Sequence, residues 1–208
     1  MNEMTKPVAR TEGIRIVATR GIDHLALVSD DMPTTMDFYT RVLKMQLVHV
    51  RRVPFAADRG QPPHDNLRHY FFDMGGDQLL AFFEYPEDTR RGDRDRLGMM
   101  QHLALHVPRE RFDPLIEHVR SCSVEVTGPV WLGGPFLSAY FFDPNGIRLE
   151  LATRLSAPEA GVVPSAYQTV GEARAELETL FDDAAEVERW LARMPLVDED
   201  VPCDAPPA

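Results

Sequence analysis

The stretch that decides the fold is GIDHLALVSDDMPTTMDFYTRVLKMQLVHV, which runs from Gly21 to Val50. Its beginning, Ile22–Val28, is rich in apolar and branched residues and predicts a β-strand. Asp31 can cap a following helix, whose first turn suits Pro33. Leu47–Val53 predicts a second strand. The stretch therefore indicates a strand, a helix and a strand in succession.

The same order of elements occurs twice in the chain. Two further predicted strands, Arg68–Met74 and Gln78–Tyr85, complete the first module. A second module then begins with the predicted strand Met100–Val107, continues with a helix and a short strand, and ends in a hairpin that turns through Asp143–Gly146. An internal repeat of this kind predicts an α+β fold of two tandem modules. The predicted organisation is an N-terminal tail (1–19), a first module (20–86), a linker loop (87–98), a second module (99–153), a linker with a C-terminal amphipathic helix (154–194) and a disordered tail (195–208).

Composition argues against nucleic acid and membranes as partners. The 208-residue chain has a formal net charge of −11, whereas binding to a phosphate backbone needs clustered Lys and Arg. No stretch approaches the ~20 apolar residues that span a bilayer. The first residues show no signal-peptide pattern, and the only cysteines are Cys122 and Cys203. We therefore expect a cytoplasmic protein.

Each predicted module carries a histidine in its first strand and a glutamate in its last strand. These pairs are His24 with Glu84 and His102 with Glu150. Two neutral imidazoles and one or two carboxylates suit a divalent ion such as Fe, Mn, Ni, Co or Zn. We therefore expect a metal site held by His24, His102 and Glu150. Glu84 is expected as a fourth ligand.

Several segments resemble the modules of the vicinal oxygen chelate superfamily, which includes glyoxalase I, methylmalonyl-CoA epimerase, fosfomycin-resistance proteins and extradiol dioxygenases. They are the opening stretch, LLAFFEYP (79–86), MQHLALHV (100–107) and YFFDPNGIRLEL (140–151). The resemblance implies paired βαβββ modules that form an incomplete barrel around a metal. It also implies a small-molecule substrate that offers two neighbouring oxygens to that metal. Together with the amphipathic C-terminal helix, it leads us to expect a homodimer.

The resemblance leaves three functions open. The favoured one is an extradiol-type dioxygenase with Fe(II) on two histidines and one carboxylate, because Tyr140 and the hairpin after it are similar to that branch. There, a tyrosine hydrogen-bonds the bound substrate. That branch also carries a histidine a few residues earlier, where this chain has Leu132–Pro135.

The second function is a glyoxalase- or epimerase-type lyase or isomerase, in which Glu84 completes a four-ligand site and a glutamate moves a proton. The third is a metal-free binding protein similar to bleomycin-resistance proteins. In any of them, His69 and His106 are candidates for contact with the substrate, as is Tyr140.

Overall fold

The computed structural model describes residues 21–53, 67–87, 89–131, 136–155 and 169–194. Within them the chain forms two compact units, and each is described by itself. The tails predicted at the two ends of the chain, and most of the linker before the C-terminal helix, lie outside the described residues.

The first unit is a four-stranded sheet. Its strands lie in the order β1-β4-β3-β2, and β3 runs antiparallel to both of its neighbours. The turn between β3 and β4 contains Gly75 and Gly76, which adopt φ angles of +86° and +63° that favour glycine. The strands are β1 (His24–Ser29), β2 (Gln46–Val53), β3 (Leu67–Gly75) and β4 (Gln78–Glu84).

The second unit contains a sheet of the same topology. Its strands lie in the order β5-β8-β7-β6, with β5 parallel to β8. The helical segment between β1 and β2 belongs to this unit. Its elements are α1 (Met32–Asp37), a π-helical turn (Phe38–Val42), β5 (Leu103–His106), α2 (Arg109–Ser121), β6 (Thr127–Val130), β7 (Phe136–Phe142) and β8 (Arg148–Arg154). The sixth strand was expected slightly earlier, over Val124–Val126, but its pairing with β7 begins at Thr127.

One face of the second sheet is apolar and packs against α2. Alternate residues of a strand share a face, so the buried Leu149 and Leu151 point to the same side of β8. The helical spacing of Phe112, Leu115, Ile116 and Val119 predicts an apolar stripe on α2, and Phe112, Ile116 and Val119 are buried there. The opposite face of the sheet is left for polar side chains.

A buried polar cluster holds the turn between β7 and β8. Asp143 accepts hydrogen bonds from the Tyr39 hydroxyl (3.0 Å), the Asn145 side-chain amide (2.9 Å) and the backbone N–H of Ile147 (2.7 Å). Burial raises the pKa of Asp143, although these donors oppose the rise. The cluster therefore ties the helical segment before β2 to the predicted hairpin turn.

The C-terminal region differs from the single helix that its pattern predicts. It forms α3 (Val170–Leu180) and α4 (Ala184–Leu191), because Phe181 is extended and Asp183 caps α4 by accepting from the N–H of Ala185 at 2.9 Å. The two helices share a small apolar core of Ala173, Leu177, Val187 and Leu191.

The predicted α+β class is confirmed by the two repeated sheets and their helices. In the part of the chain described above, no helix is both long enough and apolar enough to span a membrane.

Candidate metal and substrate site

The polar face of the second sheet gathers several predicted site residues. Tyr140 on β7 and Ala104 on β5 both lie opposite Glu150 on β8, so the three share a face. His102 lies two residues before Ala104, and Ser138 two residues before Tyr140, so alternation along the strands favours this face for both. The sheet therefore brings two predicted metal ligands and the predicted catalytic tyrosine together.

His102 and Glu150 are in direct contact. Nε2 of His102 lies 3.1 Å from Oε2 of Glu150, whose residue is only 7% exposed. The Ser138 hydroxyl donates to the other carboxylate oxygen of Glu150 at 2.5 Å. One oxygen of Glu150 is thus fixed by the protein, and the other faces an imidazole nitrogen.

This pair fits a cation. Nδ1 of His102 contacts the side-chain oxygen of Gln101, which leaves Nε2 directed at the Glu150 carboxylate. A proton or a metal ion can bridge Nε2 of His102 and the facing oxygen of Glu150. An imidazole nitrogen and a carboxylate oxygen are both ligand types that divalent metal ions accept, so the two residues could hold such an ion together.

Tyr140 borders the pair. Its ring centroid lies 6.4 Å from that of His102 in an edge-on arrangement, and the Arg148 guanidinium lies 4.5 Å from the centre of the tyrosine ring. Within the described residues the Tyr140 hydroxyl has no hydrogen-bond partner. It is therefore free to bind a substrate oxygen.

His24 has the same local arrangement in the first unit. Its Nδ1 donates to the carboxylate of Asp23 at 2.6 Å, so the side chain of the preceding residue engages Nδ1 in His24 as it does in His102. Such outer hydrogen bonds orient a histidine and leave Nε2 as the coordinating atom. In His24 and in His102, the contact at Nδ1 thus leaves Nε2 as the ring nitrogen available to a further partner.

His69 is buried beside His24 without a polar partner. It is 3% exposed, stacks on the Phe83 ring at 3.9 Å, and its centroid lies 6.3 Å from that of His24. Neither ring nitrogen of His69 has a hydrogen-bond partner within the described residues. Burial, followed by the positive charges of Arg51, His24 and His49, lowers its pKa to about 4. His69 is therefore neutral near pH 7.

Glu84 does not repeat the position of Glu150. The N–H of Leu79 donates at 3.0 Å to the carbonyl of the residue before His24, which sets the register of β1 against β4. In this register Ala81 lies opposite Ala26, which follows His24 by two residues. Glu150 lies opposite the residue two positions after His102. By strand register, Ala81 in the first unit corresponds to Glu150 in the second.

Glu84 also faces away from His24. It accepts hydrogen bonds from the Tyr70 hydroxyl (2.8 Å) and from Arg68 (3.2 Å), which belong to one face of the first sheet. His24 contacts His69 on the other face. Glu84 and His24 therefore occupy opposite faces of the first sheet.

The remaining candidate, His106, lies opposite Ala152 on the same polar face as Glu150 and is exposed. Among the described residues, no three His, Cys, Asp or Glu side chains are arranged to hold one metal ion. Sequence reasoning missed Ser138 and Arg148, although both stand two residues from a predicted site residue on a strand.

Comparisons with known proteins agree with this fold. A sequence profile of the Glyoxalase/Bleomycin resistance protein/Dioxygenase superfamily matches residues 21–151. No curated protein matches the chain by sequence. A glyoxylase/bleomycin resistance protein/dioxygenase domain from Frankia sp. EAN1pec is 19% identical, with a TM-score of 0.54, and the match covers 66% of this chain and 99% of that one. The fosfomycin resistance protein FosX from Listeria monocytogenes is 18% identical with a TM-score of 0.50, over 68% and 97% of the two chains. The match of the profile to more than half of the residues shows that the chain belongs to the Glyoxalase/Bleomycin resistance protein/Dioxygenase superfamily.

Proposed function

We propose that the protein is a divalent-metal-dependent enzyme that acts as an extradiol-type dioxygenase on a small aromatic or enolic substrate. The superfamily contains mostly metal-dependent enzymes, together with some non-enzymatic resistance proteins. His24, His102 and Glu150 would hold the metal, with Fe(II) as the favoured ion. When bound there, Fe(II) would supply the activation of dioxygen and a binding point for two neighbouring substrate oxygens.

The observation that carries the proposal is the contact between His102 and Glu150 beside Tyr140. A histidine nitrogen and a carboxylate oxygen 3.1 Å apart form two thirds of a two-histidine, one-carboxylate set. Such a set leaves coordination positions open for substrate and dioxygen. The orientation of Glu84 away from His24 supports three protein ligands and speaks against the four-ligand site of a lyase or isomerase.

The chain's own residues would bind and orient the substrate. Tyr140 has a free hydroxyl within the described residues and can donate a hydrogen bond to a substrate oxygen. The Arg148 guanidinium over its ring adds positive charge, which favours an anionic phenolate or enolate nearby. Ser138 holds one carboxylate oxygen of Glu150 and leaves the other directed at His102.

The test has two stages. The metal content of protein purified without added metal is measured first, and oxygen uptake is then followed with catechol after loading with Fe(II). We expect iron to be bound and one molecule of dioxygen to be consumed for each ring opened, with both oxygen atoms entering the product. A matched Glu150→Gln variant should lose both iron and uptake.

Two results would contradict the proposal. Bound nickel, zinc or cobalt without oxygen uptake would favour the lyase or isomerase reaction. Failure to bind any divalent metal would favour a small-molecule binding protein.

A further inference from the structure

We propose that the first unit contains a subsite for an oxyanion, either a carboxylate or a phosphonate, formed by Arg51, His49 and His69. The inference rests on the proposed function in taking this oxyanion to be part of the enzyme's substrate. It assigns a chemical class to that substrate, namely a small aromatic compound with a negatively charged substituent.

Basic side chains gather on one face of the first sheet. Arg51 lies opposite His69 across β2 and β3, and His49 lies opposite Phe71 in the next pair on this face. The His49 ring centroid is 5.6 Å from that of Phe71, and the Arg51 guanidinium lies 5.9 Å from the same ring centre. His24 borders the group, with its centroid 5.8 Å from that of Phe71. Three imidazoles and one guanidinium therefore surround a single phenylalanine.

The described part of the chain offers this group no carboxylate. Arg51 and His49 form no ion pair there, whereas Arg68 on the opposite face is paired with Glu84 at 3.2 Å. The positive charges of Arg51 and the neighbouring histidines contribute to the lowered pKa of His69. An incoming oxyanion would supply the missing negative charge.

The buried imidazole of His69 is the second and independent observation. A buried polar group without a hydrogen bond is destabilising, and neither ring nitrogen of His69 has a partner among the described residues, so both can bond to a ligand at this subsite. One nitrogen of the neutral ring carries a proton and can donate to an oxyanion. Arg51, which remains exposed, can bind the same group through two N–H bonds.

The surroundings favour an aromatic ligand. Phe71 and Phe83 both lie against the His69 ring, at centroid distances of 4.1 and 3.9 Å. Rings at this spacing provide an apolar, π-rich wall against which a further ring can pack. The subsite is thus suited to an aryl group that carries an oxyanion.

The chain provides a matched control in Arg52. It follows Arg51 on the same strand, is also exposed, and lies opposite Arg68. Because alternate residues of a strand face opposite sides, Arg52 points away from His69. Arg51→Gln and Arg52→Gln therefore remove the same charge on the two faces of one sheet.

The experiment measures binding of benzoate, phenylphosphonate and neutral benzamide to the metal-free full-length chain by titration calorimetry. We expect both anions to bind more tightly than benzamide. Arg51→Gln should weaken anion binding by about 10-fold or more, as expected for loss of charge-assisted hydrogen bonds, and Arg52→Gln by less than about 2-fold. The tighter of the two anions identifies the substituent as carboxylate or phosphonate.

The inference is overturned if neither anion binds, if benzamide binds as tightly as the anions, or if the two variants weaken binding equally. Thermal unfolding of both variants checks that they are folded. Because the measurement uses metal-free protein, it is independent of whether the chain binds iron or consumes oxygen.

Discussion

Glu84 and His24 lie on opposite faces of the same four-stranded sheet. Glu84 is bonded to Tyr70 at 2.8 Å, whereas the His24 ring lies 5.8 Å from that of Phe71 on the other side. Glu84 could reach the face of His24 only if β4 shifted its register by one residue. Such a shift would also move the buried apolar side chains of β4 to the opposite face of the sheet. The relationship therefore separates Glu84 from His24, the other predicted metal ligand in the first unit, whereas the predicted ligands His102 and Glu150 are in contact in the second.

Removing the Tyr140 hydroxyl should impair turnover but not metal binding. We expect Tyr140→Phe to lower kcat/KM for catechol by about 10- to 100-fold, because a hydrogen bond to the substrate is lost while the ring stays in place. Steady-state oxygen uptake gives the rate. Tyr70→Phe, which removes a hydroxyl bonded to Glu84, is the control and should leave the rate unchanged. Equal rates for wild type and Tyr140→Phe would exclude a role for this hydroxyl.

Ser138 should affect the affinity for metal through Glu150. Ser138→Ala removes the hydrogen bond that fixes one carboxylate oxygen, and loss of such outer partners weakens metal binding by about 10- to 100-fold. Competition with a chromophoric chelator measures the dissociation constant. Ser121→Ala removes a hydroxyl that donates only to a helix carbonyl, and should bind metal as the wild type does. A wild-type dissociation constant for Ser138→Ala would contradict this role.

His69 should make the metal-free protein less stable in mild acid. Its pKa is about 4 in the folded chain against 6.5 for the free side chain, so below pH 6.5 a proton binds the unfolded chain preferentially. The free energy of unfolding should therefore fall between pH 6.5 and 4, by at most about 3 kcal/mol from this group.

Urea denaturation at pH 7 and at pH 4.5 measures this loss. His24, His49 and Arg51 lie near the His69 ring and are present in both proteins when the comparison is with His69→Gln. The variant should lose less stability on acidification. An identical pH dependence in the two proteins would show that His69 is not the group responsible.

The Tyr39 hydroxyl should stabilise the hairpin turn through Asp143. Both residues are buried, and Tyr39→Phe would leave the Asp143 carboxylate without one of its donors. We expect the free energy of unfolding to fall by about 1–3 kcal/mol, the usual cost of an unsatisfied buried polar group. Chemical denaturation at pH 7 measures it. A change below about 0.5 kcal/mol would mean that the bond adds little stability.

Much of the fold could be predicted because the signals were local and occurred twice. The cap at Asp31, the turn through Asp143–Gly146 and the stripe on α2 are short-range patterns, and the structure confirms each. The break between α3 and α4 was missed because the apolar spacing continues through Phe181. Asp183, which caps the second helix, was the available signal.

The site could be predicted only as far as strand position allows. Alternation along β7 and β8 is enough to associate Tyr140 with Glu150. Register between strands is not visible in one sequence, since loop lengths differ between the modules, and Glu84 was therefore given the position that Ala81 occupies. The burial of His69 depends on packing against Phe71 and Phe83, which no local pattern encodes.

The most direct test of the account is the metal content of two glutamate variants, Glu150→Gln and Glu84→Gln, loaded anaerobically with Fe(II) beside the wild type. Elemental analysis after gel filtration gives the number of ions bound per chain. We expect about one ion in the wild type and in Glu84→Gln, and little or none in Glu150→Gln, because a neutral amide is a poor substitute for a carboxylate ligand. Loss of metal from Glu84→Gln together with full retention by Glu150→Gln would contradict the account.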